Sequence, residues 1–409
     1  MISVKVLVTV LKKVKTQTIL TSVIVSSTFL LLSACSQQSI GSSQLFGNKT
    51  SRATKLEPLK KIGSPIPTRK VWEVKTGSAM GENKIHPYIS GNTIFVAGSQ
   101  SVSAWNKSSG KLIWKQNISE TISAGVNGSF KGGDTQQITI GTIQGNVISL
   151  DSKTGIVRWI ERLTSEVLAV SASKRGRIAL RTVDGKLHGL STQTGELIWQ
   201  RSQRPPALTH LGASVPVIVG DNIISGFDNG KLVAYKLSNG QPQWEVTLAL
   251  PRGLTELDKM IDIDGKINVL GNALFASSLN GNASGIQGDS GTPVWLKSFS
   301  TPSGLNATQN GVFSSDNQGN IWKLNPQTGD PIWKMDDLKQ REPTLPTLIN
   351  SKLAVVADKQ GNIHWINTST GKIVARNKGD TAGYSVEPEV DKKSIYFLGK
   401  SGVLTKLSQ

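Results

Sequence analysis

The sequence predicts an all-β chain, a closed eight-bladed propeller of four-stranded antiparallel blades in which the N-terminal strand completes the last blade. Three observations predict it. The first is a repeat in which Gly is followed four residues later by Trp, at Gly110/Trp114, Gly155/Trp159, Gly195/Trp199, Gly240/Trp244, Gly291/Trp295 and Gly329/Trp333. Gly371/Ala375 is a seventh, altered copy. The copies are roughly 40 to 50 residues apart, the length of four short strands with their turns. The second is a Gly-centred turn before each third strand, at Gly145, Gly185, Gly230, Gly281, Gly319, Gly361 and Gly402, with a less regular one before Val102. The third lies at the chain ends. Val403-Leu404-Thr405-Lys406-Leu407 reaches the C-terminus with no strand to follow it, and Val71-Trp72-Glu73-Val74 reads as a fourth strand with no blade before it. Joining the two closes the ring over 69–409 and leaves no long sheet edge to aggregate.

Each unit has a local logic. In Ile148-Ser149-Leu150-Asp151-Ser152-Lys153-Thr154-Gly155-Ile156-Val157-Arg158-Trp159, alternating side chains lead into a turn that the Asp151 carboxylate can hold. Gly155 supplies a positive φ there, and the next strand ends on the large aromatic. Second strands such as Ile94-Phe95-Val96-Ala97 and Leu353-Ala354-Val355-Val356 are apolar on both faces, as strands held between neighbouring blades must be.

With a small residue six positions before the Gly, as in Ala104, Ser149, Gly189, Ala234 and Gly285, the repeat resembles the tryptophan-docking motif of quinoprotein-type (PQQ-like) propellers. That resemblance implies that Trp72, Trp114, Trp159, Trp199, Trp244, Trp295 and Trp333 dock between blades. Lys323 and Trp365 break the small-residue rule, so docking is expected to be less regular in the last two copies.

Residues 1–34 are expected to be a signal peptide. Lys5, Lys12, Lys13 and Lys15 precede an apolar run from Ile19 to Leu32 that is too short for a stable membrane span. Leu32-Ser33-Ala34-Cys35 resembles the bacterial lipobox, which implies acylation (palmitate among the chains) of Cys35, the only cysteine in the sequence. Ser36 replaces the Asp that often retains lipoproteins at the inner membrane, so a periplasm-facing outer-membrane location is expected. Residues 35–68, rich in Ser, Gln, Gly, Lys and Pro, read as the lipidated Cys and a flexible tether.

The formal net charge of +18 points to anionic head groups or an acidic partner, or simply to a solubilising bias. Nucleic acid is not expected, because the chain reads as exported and contains no basic-aromatic module. His86, His188, His210 and His364 have no ligand spacing, and Asp258, Asp262 and Asp264 do not fit a calcium loop, so no metal is expected. No nucleophile elbow or phosphate loop occurs. The enzyme class to weigh is a quinoprotein dehydrogenase. Many of those carry an adjacent Cys-Cys pair and long insertions, which this chain lacks, so no catalytic residue and no cofactor are expected.

Two connections are long: 201–216, from Arg201 to Pro216, and 250–266, from Leu250 to Lys266. Both run from an outer strand to the next inner strand, so they should emerge side by side on one face. Their mixture of Leu, Ile and charge fits either a protein-binding patch or tolerated insertions. The second loop, Pro251-Arg252-Gly253-Leu254-Thr255-Glu256-Leu257-Asp258-Lys259-Met260-Ile261-Asp262-Ile263-Asp264, resembles the signature loop of the B-type lipoprotein of the outer-membrane β-barrel assembly machinery, the BamB family. Gly212-Ala213-Ser214-Val215-Pro216 and Gly361-Asn362-Ile363-His364-Trp365-Ile366-Asn367 support the likeness.

The resemblance implies a non-catalytic scaffold that binds the periplasmic domains of the barrel-inserting subunit and assists folding and insertion of outer-membrane proteins. Leu208, Asp262 and Asp264 match the family's partner-binding positions. His210 and Leu211 stand where the family has Leu and Arg, which removes a bidentate donor that Arg201, Arg204 or Arg252 would have to replace. Leu208, Leu211, Leu254 and Ile263 are expected as apolar contacts, Asp262 and Asp264 as partners for cations. A platform that binds unfolded barrel proteins by strand addition at a blade edge remains the alternative.

Overall fold

The Gly-Trp unit folds as its residues dictate. The Asp151 carboxylate accepts from the backbone N–H groups of Lys153 and Thr154 at 3.0 Å each, and Gly155 takes φ 76°. In the computed structural model, which describes residues 56–77, 84–129, 136–206, 208 and 212–409, this hairpin forms the outer half of a four-stranded sheet. Eight such sheets are present among the described residues, every strand pair antiparallel. Blades 1 to 7 begin at Tyr88, Ile122, Val167, Val217, Asn268, Asn306 and Thr347. Blade 8 takes three strands, Glu389–Asp391, Ser394–Leu398 and Val403–Ser408, from the end of the chain and its fourth, Arg69–Lys75, from the beginning. The closure expected from Val71-Trp72-Glu73-Val74 is therefore present.

The tryptophans hold blade to blade. The indole N–H of Trp114 donates to Ser152 O, that of Trp159 to Thr192 O, Trp199 to Leu237 O, Trp244 to Gly288 O, Trp295 to Pro326 O and Trp333 to Thr368 O, over 2.8–3.1 Å. Each acceptor lies three residues before the glycine of the following blade, and the ring lies flat against that glycine. A one-residue register slip just before the Trp, as between Ser149↔Trp159 and Leu150↔Val157, aims the ring out of its own sheet. The small residue opposite makes room: a Cβ at Gly285 would stand 2.5 Å from the Trp295 ring.

The two departures from that rule have different outcomes. Lys323, opposite Trp333, sends its ammonium to Thr368 O at 3.2 Å, the same carbonyl that Trp333 uses, so this seam is reinforced. Lys406, opposite Trp72, does likewise at the closing seam: it reaches Lys107 O at 3.2 Å, beside the Tyr396 hydroxyl at 3.4 Å. Trp72 packs over Gly110, but its N–H has no partner among the described residues. In blade 7 the sizes are exchanged. Trp365 and Ala375 are cross-strand partners, and Trp365 is fully buried with its N–H on Asn377 Oδ1 at 2.7 Å. The reason lies in the closure: blade 8 joins two separate chain segments where the others have a Gly turn, so nothing there could receive a docking ring.

A strap covers that place. From Leu56 the residues expected to be tether belong to the propeller body. Leu59, like Trp333 and Ile373, packs against the buried cluster of Ile321, Met335 and Leu338, and Ile66 joins the cluster around Trp365 and Ala375. Ile66 N–H donates to Val374 O at 3.0 Å and Asn377 donates to the Thr68 hydroxyl at 3.0 Å. Arg341 reaches Glu57 O, and Lys60 pairs with Asp337 at 2.6 Å. The tether reading does not hold from Leu56 on; the segment upstream, with the signal peptide and Cys35, lies outside the described residues.

Two faces result. Short turns inside the blades form one, the hairpin face. The turns between second and third strands and all blade-to-blade connections form the other, the long-loop face. At the mouth of the central channel on the long-loop face, Lys266 of blade 5 meets Glu387 of blade 8 at 3.1 Å, and His86 ahead of blade 1 stands 3.7 Å from the same carboxylate. Blades 5 and 8 are not neighbours, so the pair spans the channel. Burial would raise the Glu387 carboxyl, but His86 and Lys266 outweigh it and hold it down at about 2.

Two outcomes are expected. Gly195 has φ 80° and a Cβ there would stand 2.6 Å from the Trp159 ring, whereas Gly91, at φ 54°, has nothing within 4 Å. Gly195→Ala should therefore cost about 3 kcal/mol and Gly91→Ala only about 1 kcal/mol in denaturant unfolding; equal costs would contradict docking. Because the folded pKa of Glu387 lies below its ordinary 4.5, its contribution is complete above that value and is lost as pH falls towards about 2. Glu387→Gln should flatten the loss of stability over that window.

Candidate functional site

The long-loop face over blades 4 and 5 is assembled from the turn Phe227–Gly230 upward. Arg181, which follows the apolar run Ile178-Ala179-Leu180 in its strand, is fully buried. It pairs with Asp228 at 2.9 Å, donates to Gly226 O and lies 4.4 Å over the Phe227 ring. Burial pushes the Asp228 carboxyl up, Arg181 opposes this, and Asp264 nearby adds to the rise. A buried pair of this kind is costly to break from one side, so it fixes the turn.

Both long loops close on that turn. A Cβ on Gly226 would collide with Ile263 of the second loop and with the Ser214 hydroxyl of the first. Asp264 lies against Gly212, its carboxylate 3.3 Å from where a Cβ would stand. The loops are side by side, as the topology requires. Ile263 N–H reaches Phe227 O at 3.4 Å and Leu279 N–H donates to Asp262 O at 2.9 Å, so 261–263 runs between the turns of blades 4 and 5.

That placement corrects two expectations. Asp262 and Ile263 are each only 1% exposed, and Ile263 belongs to the core cluster with Leu232, Leu248 and Leu274. They brace the loop and do not form its outer surface. The apolar pattern of the loop reads the same whether its isoleucines point in or out, which is why sequence reasoning put Ile263 on the surface. Asp264 is half-buried, at the junction of the loops.

The exposed part is the tip. Leu254 is 98% exposed and Leu257 68%, with Leu250 and Arg252 also in solvent. A reciprocal cap holds the tip in shape: Thr255 N–H and hydroxyl donate to the Asp258 carboxylate at 3.1 and 2.7 Å, and Asp258 N–H returns to the Thr255 hydroxyl at 3.2 Å. Asn280 of blade 5 donates to Leu257 O at 3.1 Å and ties the tip to the body. A hollow beneath it is lined by Arg252, Gly253, Asp258, Asn280 and Phe299.

In the first loop, Leu208 and Val215 are exposed. His210 and Leu211 lie outside the described residues. Of the arginines expected to replace the missing donor, Arg204 and Arg252 are exposed on this face, whereas Arg201 is held on Gly240 O at 2.7 Å along the outer strand. Arg181 and Lys266 were missed by sequence reasoning. The first was signalled by a charge inside a two-sided apolar strand; the second had no signal, its partner being distant in the chain. His188 and His364 occupy equivalent third-strand positions, where they brace turns, His188 on the Thr182 hydroxyl and His364 on Asp358, each at 3.0 Å.

Comparison with known proteins sharpens this picture. The family model described as outer membrane protein assembly factor BamB matches residues 66–129, 119–335 and 319–409. The BamB of Yersinia pestis is 28% identical over 383 residues, which cover 91% of this chain and 95% of that relative. That of Escherichia coli is 28% identical over 392 residues, 93% of this chain and 96% of the relative. The crystal structure of BamB from Moraxella catarrhalis superposes with a TM-score of 0.77 at 24% identity, covering 84% of this chain and 100% of that one. A quinohemoprotein alcohol dehydrogenase from Comamonas testosteroni also superposes, with a TM-score of 0.64 at 10% identity over 83% of this chain and 76% of its own, a likeness of fold alone. Since the family match runs through all eight blades, the chain belongs to the BamB family of outer membrane protein assembly factors.

Proposed function

We propose that the chain is a non-catalytic scaffold of the outer-membrane β-barrel assembly machinery, and that its long-loop face receives the periplasmic domains of the barrel-inserting subunit. Family membership carries the coarser part, a role in outer-membrane protein assembly. The single observation that carries the finer part is the tip of the second loop. Leu254 and Leu257 are exposed while Thr255, Asp258 and Asn280 hold the backbone beneath them. A large apolar side chain kept in water on a pre-shaped support serves no purpose in the free chain and is what a docking hot spot requires. Leu208, Arg204 and Arg252 would add apolar and charged contacts around it, and Asp264, half-buried at the junction, would face a partner cation. Cys35, acylated, would anchor the chain to the outer membrane with the propeller in the periplasm.

A second reading has some support of its own. Ile113, Ile198, Val294 and Ile332 are exposed on the outer strands of four blades, where an extended, unfolded barrel strand could add.

The two readings separate cleanly. Leu254→Asp with Leu257→Asp should weaken capture of the purified periplasmic domains by at least about tenfold, with the circular dichroism and unfolding midpoint of the propeller unchanged. Undiminished capture would remove the loop tip from the interface. Asp262→Ala is a poor probe of contact, because it would act through the packing of the loop.

A further inference from the structure

The hairpin face is unevenly charged. Around blades 7, 8 and 1 its turns carry Lys352, Lys372, Lys392, Lys393 and Lys111, all exposed. Asp391 beside them is taken by Lys107 at 2.7 Å, and among the described residues none of the five pairs with a carboxylate. Around blades 4 to 6 the turns of the same face carry Asp221, Asp289 and Asp330 and no Lys or Arg. Like charges gathered on one arc repel one another and do nothing for the stability of the ring. The turns of successive blades are related by rotation about the channel, so their tips share a plane, and the five ammonium groups are spread over that plane. Next to Lys352 lies a shallow hollow floored by Ile66 and Leu353 and edged by Gln409.

We propose that this arc docks on an anionic bilayer surface, with phosphate-bearing lipid head groups as its ligands. Lysines on separate turns are mobile point charges. They do not converge as the donors of a single anion site would, and they suit a flat field of many anions, each contributing roughly fivefold to membrane partition. The hollow beside Lys352 gives one head group an apolar floor. The surface lies on the face opposite the long loops, so docking here leaves the loop tips free, and the inference does not rest on the partner assigned to them.

The test uses the unit Leu56–Gln409, which holds every described strand and the strap and needs nothing upstream to close the ring. It is sedimented with vesicles of phosphatidylcholine alone and of phosphatidylcholine with phosphatidylglycerol, at low and at raised salt. Binding is expected only to the anionic vesicles, and is expected to weaken with salt. Lys372→Gln/Lys392→Gln/Lys393→Gln should lower it by at least about tenfold. Lys259→Gln/Lys339→Gln/Lys359→Gln, which removes the same charge from the long-loop face, should leave it within about twofold. Equal binding to both vesicles, or equal loss in both triple variants, would overturn the proposal. Capture by immobilised polyglutamate without binding to anionic vesicles would also overturn it, and would assign the arc to an acidic protein.

Discussion

The structure depends on one contact repeated around a ring: a tryptophan laid flat on the glycine of the next blade, with its N–H on a carbonyl three residues before that glycine. Each half of the contact needs the other. The ring fits because there is no Cβ, and the glycine turn is covered because there is a ring. Six seams are closed by an indole hydrogen bond. The seam between blades 8 and 1 has the same ring over Gly110, with Lys406 and Tyr396 taking the carbonyl. The seam between blades 7 and 8 has no turn to receive a ring, and there Trp365, Ala375 and the strap residue Ile66 fill the space.

A ring closed in this way can carry long loops without being deformed by them. The second loop is anchored at its C-terminal end, by Ile263 over Gly226 and by Lys266 across the channel to Glu387, and Asn280 holds Leu257 O, while 250–258 stand in solvent. The side chains that hold the loop in place are therefore distinct from those it presents. Asp262 and Ile263 belong to the first group, Leu254 and Leu257 to the second. Loss of function from a change at Asp262 would report on loop geometry, whereas loss from a change at Leu254 would report on contact.

Much of this was legible in the sequence, because the docking repeat is local. Gly155 and Trp159 are four residues apart, so six copies, a seventh altered one and two incomplete ends were enough to count eight blades and to pair Val71-Trp72-Glu73-Val74 with the C-terminal strand. What the sequence did not yield depends on distant partners. The strap reads as tether, since Leu59 and Ile66 lie among Lys, Gly, Ser and Pro, and only distant packing explains them, Leu59 on the cluster of Ile321 and Met335 and Ile66 beside Ala375. Lys323 breaks a packing rule on paper, but its long side chain can turn aside and bond to the carbonyl that the tryptophan also uses. In the candidate site, the two loops and their adjacency followed from topology, whereas which of their side chains face inward depended on Gly226, a residue in neither loop.

The central claim is that one face of a rigid ring meets the assembly machinery through the tip of the second loop. Site-specific photocrosslinking in cells tests it most directly, with the probe at Leu254 and a control probe at Ser108, exposed on the hairpin face. The account predicts one strong adduct from Leu254 to the barrel-inserting subunit and none from Ser108. Weak adducts to many unfolded barrel proteins, alike from both positions, would contradict it.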